Sequence, residues 1–441
     1  MQAADNPVVV RDSPAQSSRT RVLSPGARVL IPILIGAALA LMPVPEGMPR
    51  NAWLYFSLFV AVIASIITEP IPAAALGLAG VTAAAVLGLV RDTPAAAAQW
   101  ALSGFGNTIV WLIFAAFMFT AGYAQTGLGR RVALHLVRAL GHRTLGLGYA
   151  VALAELAFAP FTPSATARSA GTIFPVISHI PQLYGSHPGD KTSRLLGAYL
   201  LYTALAVSFV TSSMFITALA PNALAISIIQ QTTGVQISWV DWFTGFAPVG
   251  LTLLAITPLV LYRIYPPGIR TAAEVPRWAA EQLRLMGPMS RHEMALFALV
   301  AGALALWIGA TAYIDPALTA IITVLLMVVC GVVSWDDVIG QKQAWNVLIW
   351  FGTLVTLAGG LAETGFVAWV AKAVAPLLTG LTLYAAIAAI VIVFFFLHYF
   401  FASITAHTAT LLPVFLGVAV TITDISPTRW ALLLGYSLGL M

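Results

Sequence analysis

Ser164-Ala165-Thr166-Ala167-Arg168 sets two hydroxyls and an arginine inside the apolar run 146–180, between Pro160, Pro163 and Pro175. A close echo, Ser403-Ile404-Thr405-Ala406-His407, follows 239 residues later, and its run also ends in Pro-Val. Polar, broken backbone at membrane depth is tolerated only where protein or a water-filled cavity satisfies it. Two such places in corresponding positions of two halves point to a substrate site.

The surroundings are those of a membrane. The 441 residues are 60% hydrophobic and 8% charged, with mean hydropathy +0.92, whereas soluble domains carry about 25% charged residues. This is a polytopic membrane protein. The lone Cys330 excludes an intramolecular disulfide framework and a cysteine-based metal site. Of the 21 Lys and Arg, 13 fall in residues 1–28, 130–143 and 263–292, which marks these segments as cytoplasmic. Residues 1–28 hold no apolar run, so they are no secretory signal and read as a disordered cytoplasmic tail.

Runs long enough to span occur at 29–44, 52–68, 73–90 and 107–124, with Glu69-Pro70-Ile71-Pro72 a tight turn and Pro94 in a loop. Basic and apolar residues then alternate at helical spacing over 130–138, an interfacial helix. Four spans return the chain to the cytoplasm at 130–143. A single crossing by 145–180 would strand the Arg-rich segment 263–292 outside. A re-entrant hairpin keeps it inside, with Ser164-Ala165-Thr166 at its tip. The stretch 194–231 is too long for one straight span, and Pro221 interrupts its ladder, so a discontinuous helix unwound over 211–222 is expected. A span at 243–265, a charged linker 266–292 and spans at 293–312 and 317–333 follow.

An internal repeat supports this order. Asn107…Trp111 with Ala124-Gln125-Thr126-Gly127 recurs as Asn346…Trp350 with Ala362-Glu363-Thr364-Gly365. Five spans separate the copies, so they enter from opposite sides, the inverted symmetry of secondary transporters. The fold class is therefore an all-α polytopic membrane protein, an inverted-repeat transporter with two re-entrant hairpins and unwound helices. Its parts are a tail (1–28), scaffold and interfacial helices (29–143), a first transport part (144–266), a linker (267–292), second scaffold helices (293–380) and a second transport part (381–441). By symmetry a second broken helix is expected near 450–461, so Met441 reads as the end of a shortened chain.

Ser164 and Thr166 precede a new helical arm, where hydroxyls cap free N–H groups and the positive end of the helix favours a carboxylate. Ser403 and Thr405 repeat the arrangement. Arg168, costly at the membrane centre, needs a substrate carboxylate, Glu155 or local carbonyls as partner. His407 is its positional counterpart: a second anion ligand, a proton-coupling group or a hydrogen-bonded core histidine. Thr211, Ser212, Ser213, Thr217 and Asn222, beside Pro221, supply oxygens and an amide that suit Na⁺, a substrate hydroxyl or backbone repair. His398 and Glu155 are weaker candidates. No glycine cluster has phosphate-loop context and no acid or nucleophile pair is evident, so neither nucleotide binding, nucleic-acid binding nor enzymatic activity is expected.

The chain resembles the divalent anion:sodium symporter family, in its citrate/succinate and 2-oxoglutarate/malate antiporter branch. The residues that carry this are Pro163 to Pro175, Thr211 to Asn222, and His398-Tyr399-Phe400-Phe401-Ala402-Ser403-Ile404-Thr405-Ala406-His407-Thr408-Ala409. Trp111-Leu112-Ile113-Phe114, Thr126 to Arg131 and Gly287-Pro288-Met289-Ser290-Arg291 add to it. The resemblance implies a homodimer in the bilayer whose transport part moves against a scaffold as an elevator. It also implies a Ser-Asn-Thr motif at each tip, contacting cation and carboxylate. Here Ala165 and Ile404 stand in place of asparagine, which removes an amide oxygen from each cation site and leaves only Ser164, Thr166 and Asn222 as weak Na⁺ candidates. The expectation is a carrier exchanging di- or tricarboxylates across the cytoplasmic membrane without Na⁺ or other cofactor. Na⁺- or H⁺-coupled uptake is the alternative.

Overall fold

A computed structural model describes residues 24–378, 380–401, 403–422 and 425–441. The expected tail lies largely outside these, and its last residues belong to the first helix, Pro25–Leu41, capped by Ser24. Among the described residues the regular structure is helical, and nine helices are long and apolar enough to cross a membrane. The expected spans are found as Arg50–Thr68, Thr108–Thr126, Trp239–Ile264 and Arg291–Gly309, with the shorter Ala73–Val86 and Pro316–Val329. The Glu69 turn is sharp: Glu69 takes φ 47°, the left-handed cap of the helix before it.

Two elements lie where loops were expected. Pro94 is no loop residue but starts the helix Pro94–Leu102, with Thr93 as cap. The 3-10 turn after it lets Gly104 lie directly on the helix Lys342–Glu363, where a Cβ would sit 1.9 Å from the Gly352 carbonyl. The charged linker folds into the helix Glu274–Met286, which packs along the interfacial helix Leu128–Leu140. Its alternating pattern explains this, because one apolar stripe (Val275, Ala279, Leu283) is buried while the charges face outward.

The linker meets the first hairpin at its start. The Thr144 N–H donates to the Arg270 carbonyl at 3.0 Å, at the start of the first hairpin. Past its far end, Gly268 and Ile269 donate to the carbonyls of Arg194 and Leu195, each at 3.0 Å. Residues 144 and 194–195 thus meet one linker, so the segment between them begins and ends close together. The second hairpin pairs Leu383–Leu397 with Ile404–Ile422, Phe394 touching both His407 and Phe415. It packs on Phe366–Leu378, where a Cβ on Gly417 would meet Val367. That helix meets the first part of the chain: Trp369 donates to the Glu46 carbonyl in the loop after the first helix, and Arg91 pairs with Glu363 just before it.

The stretch 194–231 is broken as expected. Gly197–Met214 ends at Phe215, a 3-10 turn covers Ile216–Ala218, and Ala220–Thr233 continues beyond Leu219. Phe215 and Leu219 both have extended backbone. Pro221 lies in the first turn of the second half, where its missing N–H costs no helical bond.

Candidate functional site

At the first tip, Pro160 and Pro163 end one arm, and Ser164 starts the other from an extended backbone. Its Oγ accepts the Ala167 N–H at 3.2 Å, the capping role read from the sequence. The arm runs through a π-helical turn at Ser169–Ile173 to Ile177. Thr166 is exposed, and with Ala165 and Ser169 it lines a cavity of about 400 Å³ walled by Leu201, Leu205 and Phe209.

The broken helix meets this tip through backbone. Ala220 N–H donates to the Pro163 carbonyl at 2.9 Å, and Thr217 Oγ1 donates to the Pro160 carbonyl at 2.5 Å. Trp239 Nε1 donates to the same Thr217 hydroxyl. Thr217 is therefore committed to backbone repair, one of the roles left open for it. Asn222 is fully buried; its Nδ2 donates to the Ser212 and Phe215 carbonyls at 2.6 and 3.0 Å, while Oδ1 has no partner among the described residues. Ser213 donates to the Tyr436 carbonyl at 3.0 Å, which brings the helix Pro427–Ser437 to the break.

Arg168 is the centre of this junction. It is wholly buried, and Nε donates to Glu155 Oε2 at 2.6 Å. Nη1 reaches the carbonyls of Thr162 (3.2 Å) and Ala218 (3.0 Å), and Nη2 the hydroxyls of Ser212 (3.0 Å) and Thr211 (3.3 Å). Ser169 donates to the other oxygen of Glu155. All guanidinium donors are used, so of the three partners considered the structure selects Glu155 and carbonyls. Arg168 thereby ties both hairpin arms to the broken helix. Ser169, Ser208 and the Thr162 carbonyl were not singled out from sequence, because single serines in apolar runs give no signal until a buried charge gathers them.

At the second tip, Ser403 Oγ accepts the Thr405 N–H at 3.2 Å. Ile404 and Ser403 are half-buried and Thr405 is buried. His407 is fully buried, and among the described residues neither ring nitrogen has a hydrogen-bond partner. Its ring packs edge-on to Phe394 and lies 5.5 Å from the half-buried His398.

Of the weak Na⁺ candidates, Ser164 is occupied as a cap, Thr166 faces the cavity, and Asn222 Oδ1 is free. Among the described residues no group of three or more His, Cys, Asp or Glu could hold a metal. A further polar junction unflagged by sequence joins the start of the helix Thr108–Thr126 to the broken helix, Asn107 Nδ2 donating to Ser227 Oγ at 2.7 Å.

The chain matches the family described as sodium:sulfate symporter transmembrane region over residues 25–441. It is 43% identical over 425 residues to the L-tartrate/succinate antiporter of Escherichia coli K12, covering 94% of this chain and 87% of that protein. The Shigella sonnei protein of the same name matches equally, and the Shigella flexneri one at 42%. Among solved structures, the YdaH transporter of Alcanivorax borkumensis superposes with TM-score 0.54 at 15% identity, over 88% of this chain and 87% of that one. MtrF of Neisseria gonorrhoeae gives TM-score 0.54 at 12% identity, over 93% and 86%. Both indicate a shared fold, and with a family match across nearly its whole length this chain belongs to the sodium:sulfate symporter family, the divalent anion:sodium symporters.

Proposed function

We infer that this protein is a secondary transporter exchanging di- or tricarboxylates, of the tartrate and succinate class, across the cytoplasmic membrane. The observation that carries this is the 43% identity over 94% of the chain to an L-tartrate/succinate antiporter. Two hydroxyl-capped helix starts, at Ser164 and Ser403, support this reading, a setting that suits a dianion. The two tips (Ser164, Ala165, Thr166; Ser403, Ile404, Thr405, His407) and the break (Thr211, Ser212, Ser213, Thr217, Pro221, Asn222) form the substrate region, with Arg168 as a positioning residue. Ala165 and Ile404 carry no amide oxygen, which favours exchange without Na⁺. The protein works as a homodimer with its N-terminus in the cytoplasm, and the hairpins and broken helix move as one body against the scaffold. The test is counterflow of radiolabelled tartrate, succinate, malate, 2-oxoglutarate and citrate in proteoliposomes. Absence of exchange with all five would overturn the reading.

One observation favours the alternative of cation-coupled uptake. Asn222 Oδ1 is a buried, unpartnered acceptor beside the Ser212 carbonyl region, a donor type suited to Na⁺. Uphill succinate uptake into substrate-free vesicles under a Na⁺ gradient would establish it.

A further inference from the structure

Trp307 is wholly buried near the end of the helix Arg291–Gly309, and its Nε1 donates to the Pro316 carbonyl at 3.1 Å, beyond the loop that follows. The ring stacks on Trp239 at 6.1 Å and 29° and on Phe161 at 6.3 Å and 23°, with Phe119 at 6.4 Å. Phe161 ends the first arm of the hairpin beside its tip. Trp239 opens the helix Trp239–Ile264 and bonds Thr217 at the break through Nε1. One tryptophan thus joins the first hairpin and the break to the helices Thr108–Thr126 and Arg291–Gly309.

Trp239 also lines a cavity of about 590 Å³, together with Thr108, Ile226, Gln230, Tyr313 and Asp315. The helices Trp239–Ile264 and Arg291–Gly309 both run between this cavity and the linker, over 26 and 19 residues, or about 39 and 28 Å. A bilayer core is about 30 Å thick, so the cavity lies at the end of the molecule away from the linker. At its wall Asn107 has two tasks. Its Oδ1 caps the helix Thr108–Thr126 by accepting the Ile109 N–H at 2.9 Å, and its Nδ2 donates to Ser227 Oγ at 2.7 Å. Ser227 is fully buried on the second half of the broken helix, whereas Asn107 is half-buried. These contacts are built to part. The indole N–H of Trp307 is satisfied by Pro316 and that of Trp239 by Thr217, each within its own part of the chain. Separating the stacked rings therefore strands no buried donor, and water takes the place of Ser227 on the half-buried Asn107.

We propose that the Trp307 stack and the Asn107–Ser227 bond form a lock that holds the first hairpin and the broken helix in the conformation seen here, closes the molecule at the end away from the linker, and parts in every transport cycle. The proposal rests on the reading that the hairpins and broken helix move as one body, and it names the contacts that this motion breaks. The stack supplies the seal and the hydrogen bond the latch. A net hydrogen bond shifts a population only about fivefold, which suits a contact that must be made and released repeatedly.

The test places nitroxide labels at Gln236→Cys and Tyr313→Cys of the full chain in a Cys330→Ser background. Both positions are exposed, on loops at either side of the joint. Electron paramagnetic resonance should show one dominant short distance. Ser227→Ala, which leaves the Asn107 cap intact, should raise the long-distance population about fivefold. Trp307→Leu should raise it further, and Trp307→Phe, which keeps a stacked ring, should stay near the parent. A distribution unchanged in Ser227→Ala or in a folded Trp307→Leu overturns the proposal, and Ser227→Ala decides alone if Trp307→Leu does not fold. A second arm bridges Asn107→Cys and Ser227→Cys with Hg²⁺ in proteoliposomes. Dicarboxylate exchange should stop and return after excess thiol, and exchange that survives full bridging overturns the proposal. The distances are read without substrate. Labels that part in Ser227→Ala while no acid is exchanged therefore support the lock and overturn only the functional reading.

Discussion

Arg168 and Glu155 lie on opposite arms of the first hairpin, bonded at 2.6 Å with both side chains at 0% exposure. Breaking such a pair strands a buried charge and costs about 3–5 kcal/mol. Arg168→Ala and Glu155→Ala should therefore lower the melting temperature and yield in detergent. Arg168→Lys keeps the charge but loses the fork that reaches Ala218 and Ser212 at once, and should fall between. Thermal unfolding followed by size exclusion measures this. A raised KM for succinate with an unchanged melting temperature would instead place the guanidinium on the substrate.

Thr166 is the exposed hydroxyl of the first tip and opens on the cavity beside Ser169. Thr166→Cys should react with small water-soluble thiol reagents, and saturating dicarboxylate should slow the reaction. The Cys330→Ser background is needed because Cys330 is exposed. Equal rates with and without substrate would separate this cavity from the substrate path.

Asn222 holds the break by two donor bonds and leaves Oδ1 free. Asn222→Asp gives up both donor contacts and should depress exchange strongly. Asn222→Ser, smaller and still polar, should keep part of it. If exchange needs no Na⁺, the residual rate is the same in sodium and choline buffers. A Na⁺-stimulated wild type whose stimulation vanishes in Asn222→Ser would move the protein to the cation-coupled class.

Arg131 clamps the interfacial helix to the second half of the chain. Its Nε and Nη2 take both oxygens of Glu293 at 2.7 and 3.2 Å, and Nη1 takes the Gly287 carbonyl at 2.9 Å. Glu293 also closes a capping box with Ser290. Glu293→Gln should reduce turnover more than it changes substrate KM, because the clamp lies at the linker and away from both tips. Counterflow kinetics would separate the two constants.

Much of this molecule was legible in the sequence because membrane solvation is a severe rule. Apolar run lengths located the spans, and the prolines and hydroxyls around Ser164 marked a place where the backbone needed other partners. Arginine placement led to the expectation that 144–180 returns to the face it enters, and the Thr144–Arg270 and Gly268–Arg194 bonds bring residues 144 and 194 to one linker. The docking of the segment after Pro94 was not legible. The helix Pro94–Leu102 follows from its Thr93 cap, first-turn proline and alanines, but the seating of Gly104 on Gly352 and Thr356 of a helix about 250 residues away is contained in no local pattern.

The same division holds at the site. The sequence determined that Arg168 needed a partner, since an arginine cannot be left unpaired in an apolar run. Only the tertiary structure decided which, because Thr162, Ser208, Ser212 and Ala218 come within reach of one guanidinium only after the hairpin meets the break. For His407 the sequence determined a polar ring at a buried tip. The tertiary structure decided that neither nitrogen meets a partner among the described residues, because aromatic rings and apolar helix faces surround it. Composition and spacing set what must be compensated, and packing sets which groups compensate it.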